Sequence, residues 1–222
     1  MISLKSITDI EALKSKKVLL RVDMNVPLGN DGIVGEHESW RIHKIFRTVE
    51  FLQRAGARVI LLSHLGSEGE SLLPIADYMQ QFIKVKFIPE VFGTLAEQAL
   101  LHQQNGEVIL LENIRIHEGE EDNDAQFALE LAQYGDIYIN DAFSVSHRSH
   151  ASIVGLPEYL PSYAGFQFLD EIKHLSLLLT PERPFIVIVA GVKFGTKLPL
   201  IEKFVLNADI MFVGGALAHP LW

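Results

Sequence analysis

The sequence predicts an α/β fold in which a doubly wound parallel sheet carries helices on both faces. Short runs rich in Val, Ile and Leu alternate with longer segments whose apolar residues recur at helical spacing. The short runs are continuously apolar, which is typical of strands that are covered on both sides. A chain of 222 residues that is 48% hydrophobic is also large enough to bury a substantial core.

The predicted strands are the short apolar runs, which cover residues 17–24, 58–63, 84–88, 107–112, 135–140, 184–190 and 209–213. We predict helices for the amphipathic segments that fill the gaps between them, at 39–54, 72–83, 92–104, 123–134, 166–179 and 197–207. This alternation predicts that parallel neighbours are joined by right-handed crossovers.

The first predicted helix shows the pattern in detail. Its apolar residues recur at helical spacing and are Trp40, Ile45, Val49 and Leu52. Ser39 is of a residue type that caps helix starts, and Gly56 follows the end, as is common at helix C-termini.

A domain boundary is predicted where prolines cluster. The segment 155–161 carries two prolines, and Pro181 and Pro184 follow the next predicted helix. We divide the chain into an N-terminal domain (1–160), an interdomain helix or hinge (161–182) and the start of a second domain (183–222). That last part is too short to close a second sheet, so we expect the natural chain to continue or this sequence to be a fragment.

Composition excludes several classes of function. The 19 Lys and Arg residues stand against 28 Asp and Glu residues, and the net charge of -9 argues against wholesale binding to nucleic acid or anionic membranes. The absence of cysteine excludes disulfides, thiolate metal sites and a cysteine nucleophile. With no signal peptide and no apolar run of roughly 20 residues, we expect a cytoplasmic protein without a membrane partner.

Polar and basic residues follow four of the predicted strands. They are Asp23, Asn25, Ser63, His64, Gly66, Glu112, Asn113, Arg115, Asn140, Asp141, His147 and Arg148, with Arg41 at the start of the first helix. Ligands of open parallel sheets bind outside the carboxyl ends of the strands, so these residues are expected to meet there. We call this set of Arg and His side chains the cationic bowl, and it suits a small, highly anionic ligand.

Structural roles compete with functional ones at several positions. Arg21 lies inside an apolar strand and is expected to pair with a buried acid, whereas Asp23 could either pair with such an arginine or contact a ligand. No carboxylate lies at the helical spacing from His147 and His150 that would add a further zinc ligand, so we expect no zinc site. The acidic run 118–124 is expected to form a solvated turn and helix start.

A glycine-bearing turn near the C-terminus is a weaker candidate for anion binding. Residues 191–197 contain Lys193 and Lys197 between a predicted strand and a predicted helix, although their spacing does not match a P-loop. Backbone amides and the helix dipole favour a phosphate at such a turn.

Four segments, in chain order, resemble motifs of the phosphoglycerate kinase family. They are RVDMNVPL at 21–28 (family R-V-D-F-N-V-P), SHLG at 63–66 (the same in the family), LENIR at 111–115 (L-E-N-x-R) and NDAFSVSHRSHAS at 140–152 (N-D-A-F-x-x-x-H-R-A-H-A-S). A weaker likeness continues through 191–197, where the family has G-G-A-K-V-x-D-K, and ends at 214–218.

The resemblance implies a Rossmann-like N-terminal lobe of a two-lobed kinase, with 3-phosphoglycerate on that lobe and magnesium nucleotide on the other. Matched by position, the residues implied to bind 3-phosphoglycerate are Asp23, Asn25, Arg41, His64, Arg115 and Arg148. Those implied to face the nucleotide are Gly191, Lys193, Lys197, Gly214 and Gly215. Arg41 and Lys197 are the implied catalytic cations, and the magnesium ligands are expected outside this chain.

The implied reaction is reversible phosphoryl transfer between 1,3-bisphosphoglycerate and ADP, giving 3-phosphoglycerate and Mg-ATP in glycolysis. It depends on closure of the two lobes about the hinge, so we expect this chain to bind 3-phosphoglycerate but to turn over little. By analogy with the family, we also expect a monomer.

The sequence departs from the family pattern in places, and two other functions stay open. Ser67 and Glu68 stand where the family has Arg-Pro, and losing one charge-assisted contact costs roughly 1.5–3 kcal/mol. Ser144-Val145 also replaces the usual Gly-Thr, and Gly195-Thr196 stands where Ser or Ala and then Asp are common.

A non-catalytic anion-binding domain would suit these changes. A haloacid-dehalogenase-type phosphatase is the other alternative, although Asn25 replaces the second acid of its D-x-D-x-[TV] motif.

Overall fold

A six-stranded parallel sheet forms the centre of the first of two structural units in this computed structural model. The units are Met1–Ile172 and Lys173–Trp222, and the structure describes residues 4–29, 31–66, 69–192 and 194–218. The boundary between the units falls inside the predicted interdomain segment 161–182, while the assignment of lobes and hinge stays a prediction.

The sheet has the strand order β3-β4-β2-β1-β5-β6, and every neighbouring pair is parallel. Its strands are β1 Lys17–Arg21, β2 Arg58–Leu62, β3 Val85–Ile88, β4 Val108–Leu111, β5 Ile137–Asn140 and β6 Ser162–Ala164. This arrangement confirms the predicted α/β fold with a doubly wound parallel sheet.

Helices fill the connections between the strands. They are α1 Trp40–Arg54, α2 Leu73–Met79, α3 Thr94–His102, α4 Glu118–Glu121, α5 Ala125–Ala132, α6 Leu156–Tyr159 and α7 Phe166–Ser176. The second unit adds β7 Ile186–Ala190, α8 Phe194–Val205 and β8 Ile210–Gly214, with β7 and β8 paired in parallel. No helix in the described part of the chain is both long and apolar enough to cross a membrane.

Successive residues of β1 enter cores on opposite faces of the sheet. Val18 and Leu20 join the apolar cluster that includes residues of α1 and α2, and Leu19 joins the cluster that includes residues of α3 and α5. All three side chains are fully buried, and each such burial stabilises the fold by about 1.5–3 kcal/mol. Two buried faces explain why the strands are continuously apolar in sequence.

The first helix begins where the sequence predicts. Ser39 stands at the N-cap position of α1, but its side chain makes no capping hydrogen bond, because its hydroxyl donates to the Glu36 carbonyl at 2.7 Å. Of the four apolar residues at helical spacing, Trp40 lies outside the core, since 51% of its surface is exposed. The expectation for Gly56 is confirmed, because this residue follows the helix with a φ of 73°.

Some elements differ from their predicted positions. Strand β6 was not predicted, because it has only three residues and directly follows Pro161. Helix α6 was also missed, since Pro157 stands inside it, but at a first-turn position where proline is tolerated. Helix α8 begins at Phe194 instead of 197, which places Lys197 within its first turn.

Candidate functional site

Asp23 joins three segments where strands β1 and β5 end. One carboxylate oxygen accepts from the Asn25 N–H at 3.0 Å, and the other accepts from Arg41 Nη1 at 3.1 Å. The Ser144 hydroxyl also donates to this second oxygen. The loop after β1, the start of α1 and the segment after β5 therefore meet at one carboxylate.

Gly66 links the loops that follow β1, β2 and β4. Its N–H donates to Asn25 Oδ1 at 3.0 Å, and its carbonyl accepts from Arg115 Nη1 at 3.3 Å. Arg41 Nη1 adds a contact of 3.4 Å to the Asn25 carbonyl. We call this meeting place of the strand-end loops the carboxyl edge of the sheet.

Arg115 brings a buried guanidinium to the carboxyl edge. Only 8% of its side chain is exposed, and its Nε lies 3.1 Å from Glu121 Oε1. Its Nη2 is buried and has no hydrogen-bond partner among the described residues. Burial lowers the pKa of this guanidinium, and the nearby Glu121 carboxylate opposes that effect. An anion that reached Nη2 would supply the missing acceptor.

His64 contributes an uncharged ring, contrary to its expected place among the cations of the bowl. It is 1% exposed, and burial lowers its pKa from 6.5 to about 2. The positive charges of Arg21, Arg115 and Arg148 act in the same direction. A ring with this pKa is neutral at pH 7 and acts through hydrogen bonds instead of charge.

Arg148 is exposed on the segment after β5, where its backbone N–H donates to the Val145 carbonyl at 3.0 Å. Its positive charge lowers the pKa values of His64 and Arg115. The structure thus gathers the six predicted substrate residues at the carboxyl edge. Their role in binding stays a prediction.

Arg21 and Glu120 form a buried polar connection that the sequence did not predict correctly. Arg21 Nε donates to Ser152 Oγ at 2.9 Å, and Ser152 Oγ donates to Glu120 Oε1 at 2.6 Å. Arg21 therefore reaches the acid through a serine, not by the direct pair we expected. Glu120 is fully buried, so the acidic run is not wholly solvated, and burial raises the pKa of its carboxyl group.

Other polar residues after the strands have structural partners. Glu112 accepts from the Leu72 and Asn113 N–H groups, both at 2.7 Å, and from the Ser71 hydroxyl. Asn113 donates to the Leu65 carbonyl at 2.7 Å. These contacts fix the loops after β2 and β4, so Glu112 and Asn113 stabilise the loops that form the carboxyl edge.

A cavity of about 150 Å³ lies beside Asp23 and Arg41. Its wall includes Trp40, Lys44 and Phe143, which were not predicted as site residues. Lys44 Nζ lies 4.9 Å from the centre of the Trp40 ring, a cation–π contact that favours an exposed tryptophan here. A tryptophan on the polar side of an amphipathic helix is the sequence signal that could have identified this wall.

The second unit brings several of the predicted nucleotide residues together after β7 and β8. Gly191 and Gly215 have φ values of 146° and 65°, which favour glycine. A Cβ on Gly191 would lie 3.4 Å from Lys197 Cε, and Gly214 ends β8 beside them. Lys193 lies outside the described residues. Among the residues that are described, no group of three or more His, Cys, Asp or Glu side chains could hold a metal ion.

Comparisons with known proteins agree on one family. The family profile described as phosphoglycerate kinase matches residues 7–222. The phosphoglycerate kinase of Orientia tsutsugamushi (strain Ikeda) is 44% identical, and the match covers 99% of this chain and 55% of that protein. The phosphoglycerate kinase of Coprothermobacter proteolyticus is 40% identical, with 99% and 57% covered.

Solved structures give the same result. The structure of phosphoglycerate kinase from Coxiella burnetii matches with a TM-score of 0.83 and 32% identity, covering 98% of this chain and 56% of that one. The corresponding structure from Pyrococcus horikoshii OT3 matches with a TM-score of 0.87 and 27% identity, covering 97% and 56%. The chain thus spans about 55% of the length of the curated relatives it matches. It belongs to the phosphoglycerate kinase family.

Proposed function

We propose that the first unit binds 3-phosphoglycerate at the carboxyl edge of its sheet. The ligand's contacts are assigned to Asp23, Asn25, Arg41, His64, Arg115 and Arg148. The observation that carries this proposal is the buried Nη2 of Arg115, which has no partner in the described part of the chain. Family membership supports the choice of ligand.

The chemistry of the edge suits a small phosphorylated acid. Arg41 is partly exposed and Arg148 is exposed, whereas Arg115 is buried, so the cations lie at different depths. Arginine binds phosphate and carboxylate through paired N–H groups, which gives orientation as well as affinity. The neutral ring of His64 adds a hydrogen-bond donor without a further buried charge.

The whole protein is proposed to transfer a phosphoryl group reversibly between 1,3-bisphosphoglycerate and ADP, giving 3-phosphoglycerate and ATP. The carboxyl oxygen of 3-phosphoglycerate is already ionised at neutral pH, so phosphorylation of it needs no general base. Positioning and cations then carry catalysis, and we assign Arg41 and Lys197 to the equatorial oxygens of the transferring group.

The nucleotide phosphates are assigned to the turn after β7. Gly191, Gly214 and Gly215 leave room for a close approach to the backbone, and α8 directs its N-terminal amides toward an anion at that turn. Lys197 supplies a cation in the first turn of α8, and Lys193 is the second lysine proposed for this role. Magnesium would accompany the nucleotide and neutralise its phosphates, and no ligand for it is assigned to this chain.

Calorimetric titration of 3-phosphoglycerate into the 222-residue chain and its Arg148→Ala variant tests the proposal. Loss of this cation is expected to weaken binding by roughly 1.5–3 kcal/mol. Arg54→Ala is the matched control, because Arg54 lies at the other end of α1, is 82% exposed and pairs with Glu50. Equal affinities in wild type and Arg148→Ala would contradict the assigned site.

Two outcomes would favour the other functions. Binding of 3-phosphoglycerate without turnover in the whole protein would indicate an anion-binding domain. Hydrolysis of a generic phosphate ester that is lost in Asp23→Asn would indicate a phosphatase. Asn25, Arg41 and Ser144 all donate to the Asp23 carboxylate, and this lowers its nucleophilicity and speaks against the phosphatase.

A further inference from the structure

A continuous series of buried hydrogen bonds runs from Glu120 to His64. Ser152 donates to Glu120 twice, from its N–H at 2.8 Å and from its hydroxyl at 2.6 Å. Arg21 Nε donates to the Ser152 hydroxyl at 2.9 Å. Arg21 Nη2 then lies 3.1 Å from His64 Nδ1. Helix α4, the segment after β5 and the ends of β1 and β2 are thereby joined in one series.

The direction of each hydrogen bond follows from the chemistry of the donors. A guanidinium can only donate, so His64 Nδ1 must accept from Arg21 Nη2 and cannot carry a proton. A neutral imidazole with an unprotonated Nδ1 has its proton on Nε2. None of the hydrogen bonds within the described ranges uses Nε2, so we assign this N–H to a ligand.

Burial makes the series rigid. Arg21, Ser152 and Glu120 are all fully buried, and the Tyr138 hydroxyl holds the Ser152 carbonyl at 2.6 Å. Arg21 also donates to the Val22 carbonyl, which fixes the guanidinium from a further side. A buried guanidinium is stable only with a compensating charge and hydrogen bonds, and the Glu120 carboxylate provides that charge through Ser152.

The groups around His64 all oppose a second proton on its ring. Arg21 faces it from β1, Arg115 from the turn after β4, and Arg148 and His150 from the segment after β5. Two acids, Glu120 and Glu121, lie near these cations. The Ser152 hydroxyl donates to Glu120, and Arg115 pairs with Glu121. The geometry therefore fixes the tautomer, and the surrounding cations fix the protonation state.

We propose that Glu120 is a positioning residue that acts through Ser152 and Arg21 to hold His64 as the neutral tautomer protonated on Nε2. The N–H of Nε2 then donates to bound 3-phosphoglycerate. This last step rests on the proposed function, whereas the tautomer of His64 is a property of the chain alone. The affinity of the site would thus depend on Glu120, which is linked to His64 only through Ser152 and Arg21.

The tautomer is measured on the wild-type chain labelled with ¹⁵N-histidine. Two-bond ¹H–¹⁵N spectra distinguish protonated from unprotonated ring nitrogens, and a His64→Gln variant assigns the signals. We expect an unprotonated Nδ1 and a protonated Nε2 throughout the range from about pH 5 to about pH 8, where an ordinary histidine gains a proton. A ring that is protonated on Nδ1, or that exchanges between tautomers, would overturn the proposal.

Ser152→Ala tests the positioning role, because it breaks the series but keeps both buried charges. We expect a mixture of His64 tautomers and an affinity for 3-phosphoglycerate that is about tenfold weaker. Ser162→Ala is the control, since it removes a serine hydroxyl bond to the Leu160 carbonyl on the edge strand β6 and should leave the His64 tautomer unchanged. Wild-type tautomer and affinity in Ser152→Ala would refute the role of Glu120.

A second variant covers the case in which Ser152→Ala does not fold. Glu120→Asp keeps the charge but shortens the side chain, so it is expected to have the same effects on tautomer and affinity. If the His64 tautomer changes in Ser152→Ala or Glu120→Asp but the wild-type chain does not bind 3-phosphoglycerate, the proposed function fails while the link from Glu120 to His64 is supported. If the chain binds 3-phosphoglycerate but His64 exchanges between tautomers, the positioning proposal fails and the proposed function stands.

Discussion

Asn25 Oδ1 accepts a hydrogen bond of 3.0 Å from the backbone N–H of Gly66, which ties the loop after β1 to the loop after β2. The carbonyl of the same glycine accepts from Arg115 Nη1 at 3.3 Å. The backbone of Gly66 thus sets the spacing between the Asn25 amide and the Arg115 guanidinium, which are both assigned to ligand binding. Gly66 can serve both neighbours because its φ of 61° orients the backbone in a way that favours glycine.

We predict that Gly66→Ala will lower both stability and ligand affinity. The left-handed conformation costs an alanine about 1–2 kcal/mol, and a Cβ would lie 2.0 Å from a Glu70 carboxylate oxygen, which forces that side chain to move. Urea unfolding measures the loss of stability. Calorimetric titration of 3-phosphoglycerate measures the loss of affinity that should follow from displacing Arg115.

Gly32→Ala is the matched control for this glycine. Its φ is 74°, and nothing lies within 4 Å of a Cβ at that position, so the substitution carries the conformational cost alone. We expect a similar loss of stability and an unchanged affinity. Equal affinities for all three chains would show that Gly66 does not position Arg115.

Arg41→Ala should weaken binding of 3-phosphoglycerate while changing the stability of the fold little. The guanidinium is 40% exposed and pairs with Asp23 at 3.1 Å, and such partly exposed pairs contribute about 0–1 kcal/mol to folding. The affinity for 3-phosphoglycerate is expected to fall by about tenfold or more, because a charged contact to the ligand is lost. Arg47→Ala is the control on the same helix, since Arg47 pairs with Asp170 at 2.8 Å. A large loss of stability with unchanged affinity would assign Arg41 a purely structural role.

The Glu121 carboxylate offsets part of the positive charge of Arg115, and its removal should tighten binding of an anion at Nη2. Its Oε1 lies 3.1 Å from Arg115 Nε, and its side chain is 54% exposed. Glu121→Gln is expected to raise the affinity for 3-phosphoglycerate by about two- to fivefold, which corresponds to a pair worth about 0–1 kcal/mol. Asp122→Asn removes the same charge from the neighbouring exposed position and should raise the affinity less. Unchanged affinity in Glu121→Gln would mean that Glu121 does not restrain Arg115.

The sheet and the clustering of its strand-end residues could be predicted because both depend on local patterns. Leu19 and Leu20 point to opposite faces, yet both are buried, and this leaves a continuous apolar run in the sequence. Polar residues at the ends of such runs must then lie at one edge of a parallel sheet. The contacts of Asp23 with Arg41 and of Asn25 with Gly66 agree with that expectation.

The features that were missed depend on contacts distant in sequence. Glu120 stands among acids and looks solvated, but Ser152, 32 residues later, buries it and binds its carboxylate. His64 looks like a cation by composition, but three arginines from separate segments and its burial keep it neutral. The exposure of Trp40 likewise depends on where the neighbouring lysine and cavity lie. No local pattern in the sequence carries the burial of Glu120 or the neutral state of His64.

Asp141 lies at the end of β5 and gives a prediction for the dependence of stability on pH. Its Oδ1 accepts from the Phe168 N–H at 3.0 Å, and its Oδ2 has no hydrogen-bond partner among the residues described. Burial raises the pKa of this carboxyl group above its ordinary value of 3.8 and outweighs the opposing effects of Thr48, Phe168 and Gln167. The folded state therefore holds the proton more tightly than the unfolded state does.

The sign of the effect follows from that difference. The contribution of Asp141 to folding is most favourable below pH 3.8, and it is lost as pH rises from 3.8 through the raised pKa of the folded state. Asp141→Asn keeps the acceptor for Phe168 but does not ionise. The unfolding free energy of Asp141→Asn minus that of wild type should therefore increase as pH rises across this window. Above the raised pKa, this difference should stay constant up to neutral pH.

Urea unfolding at a series of pH values, followed by circular dichroism, measures this difference. Asp77→Asn is the control for net charge, because it removes the same charge from an exposed position on α2. We expect Asp141→Asn to be more stable than wild type at neutral pH and equal to it at the acidic end of the series. A variant that is less stable at neutral pH would show that the ionised carboxylate has a stabilising partner, and the buried Oδ2 would then contribute to folding as an anion.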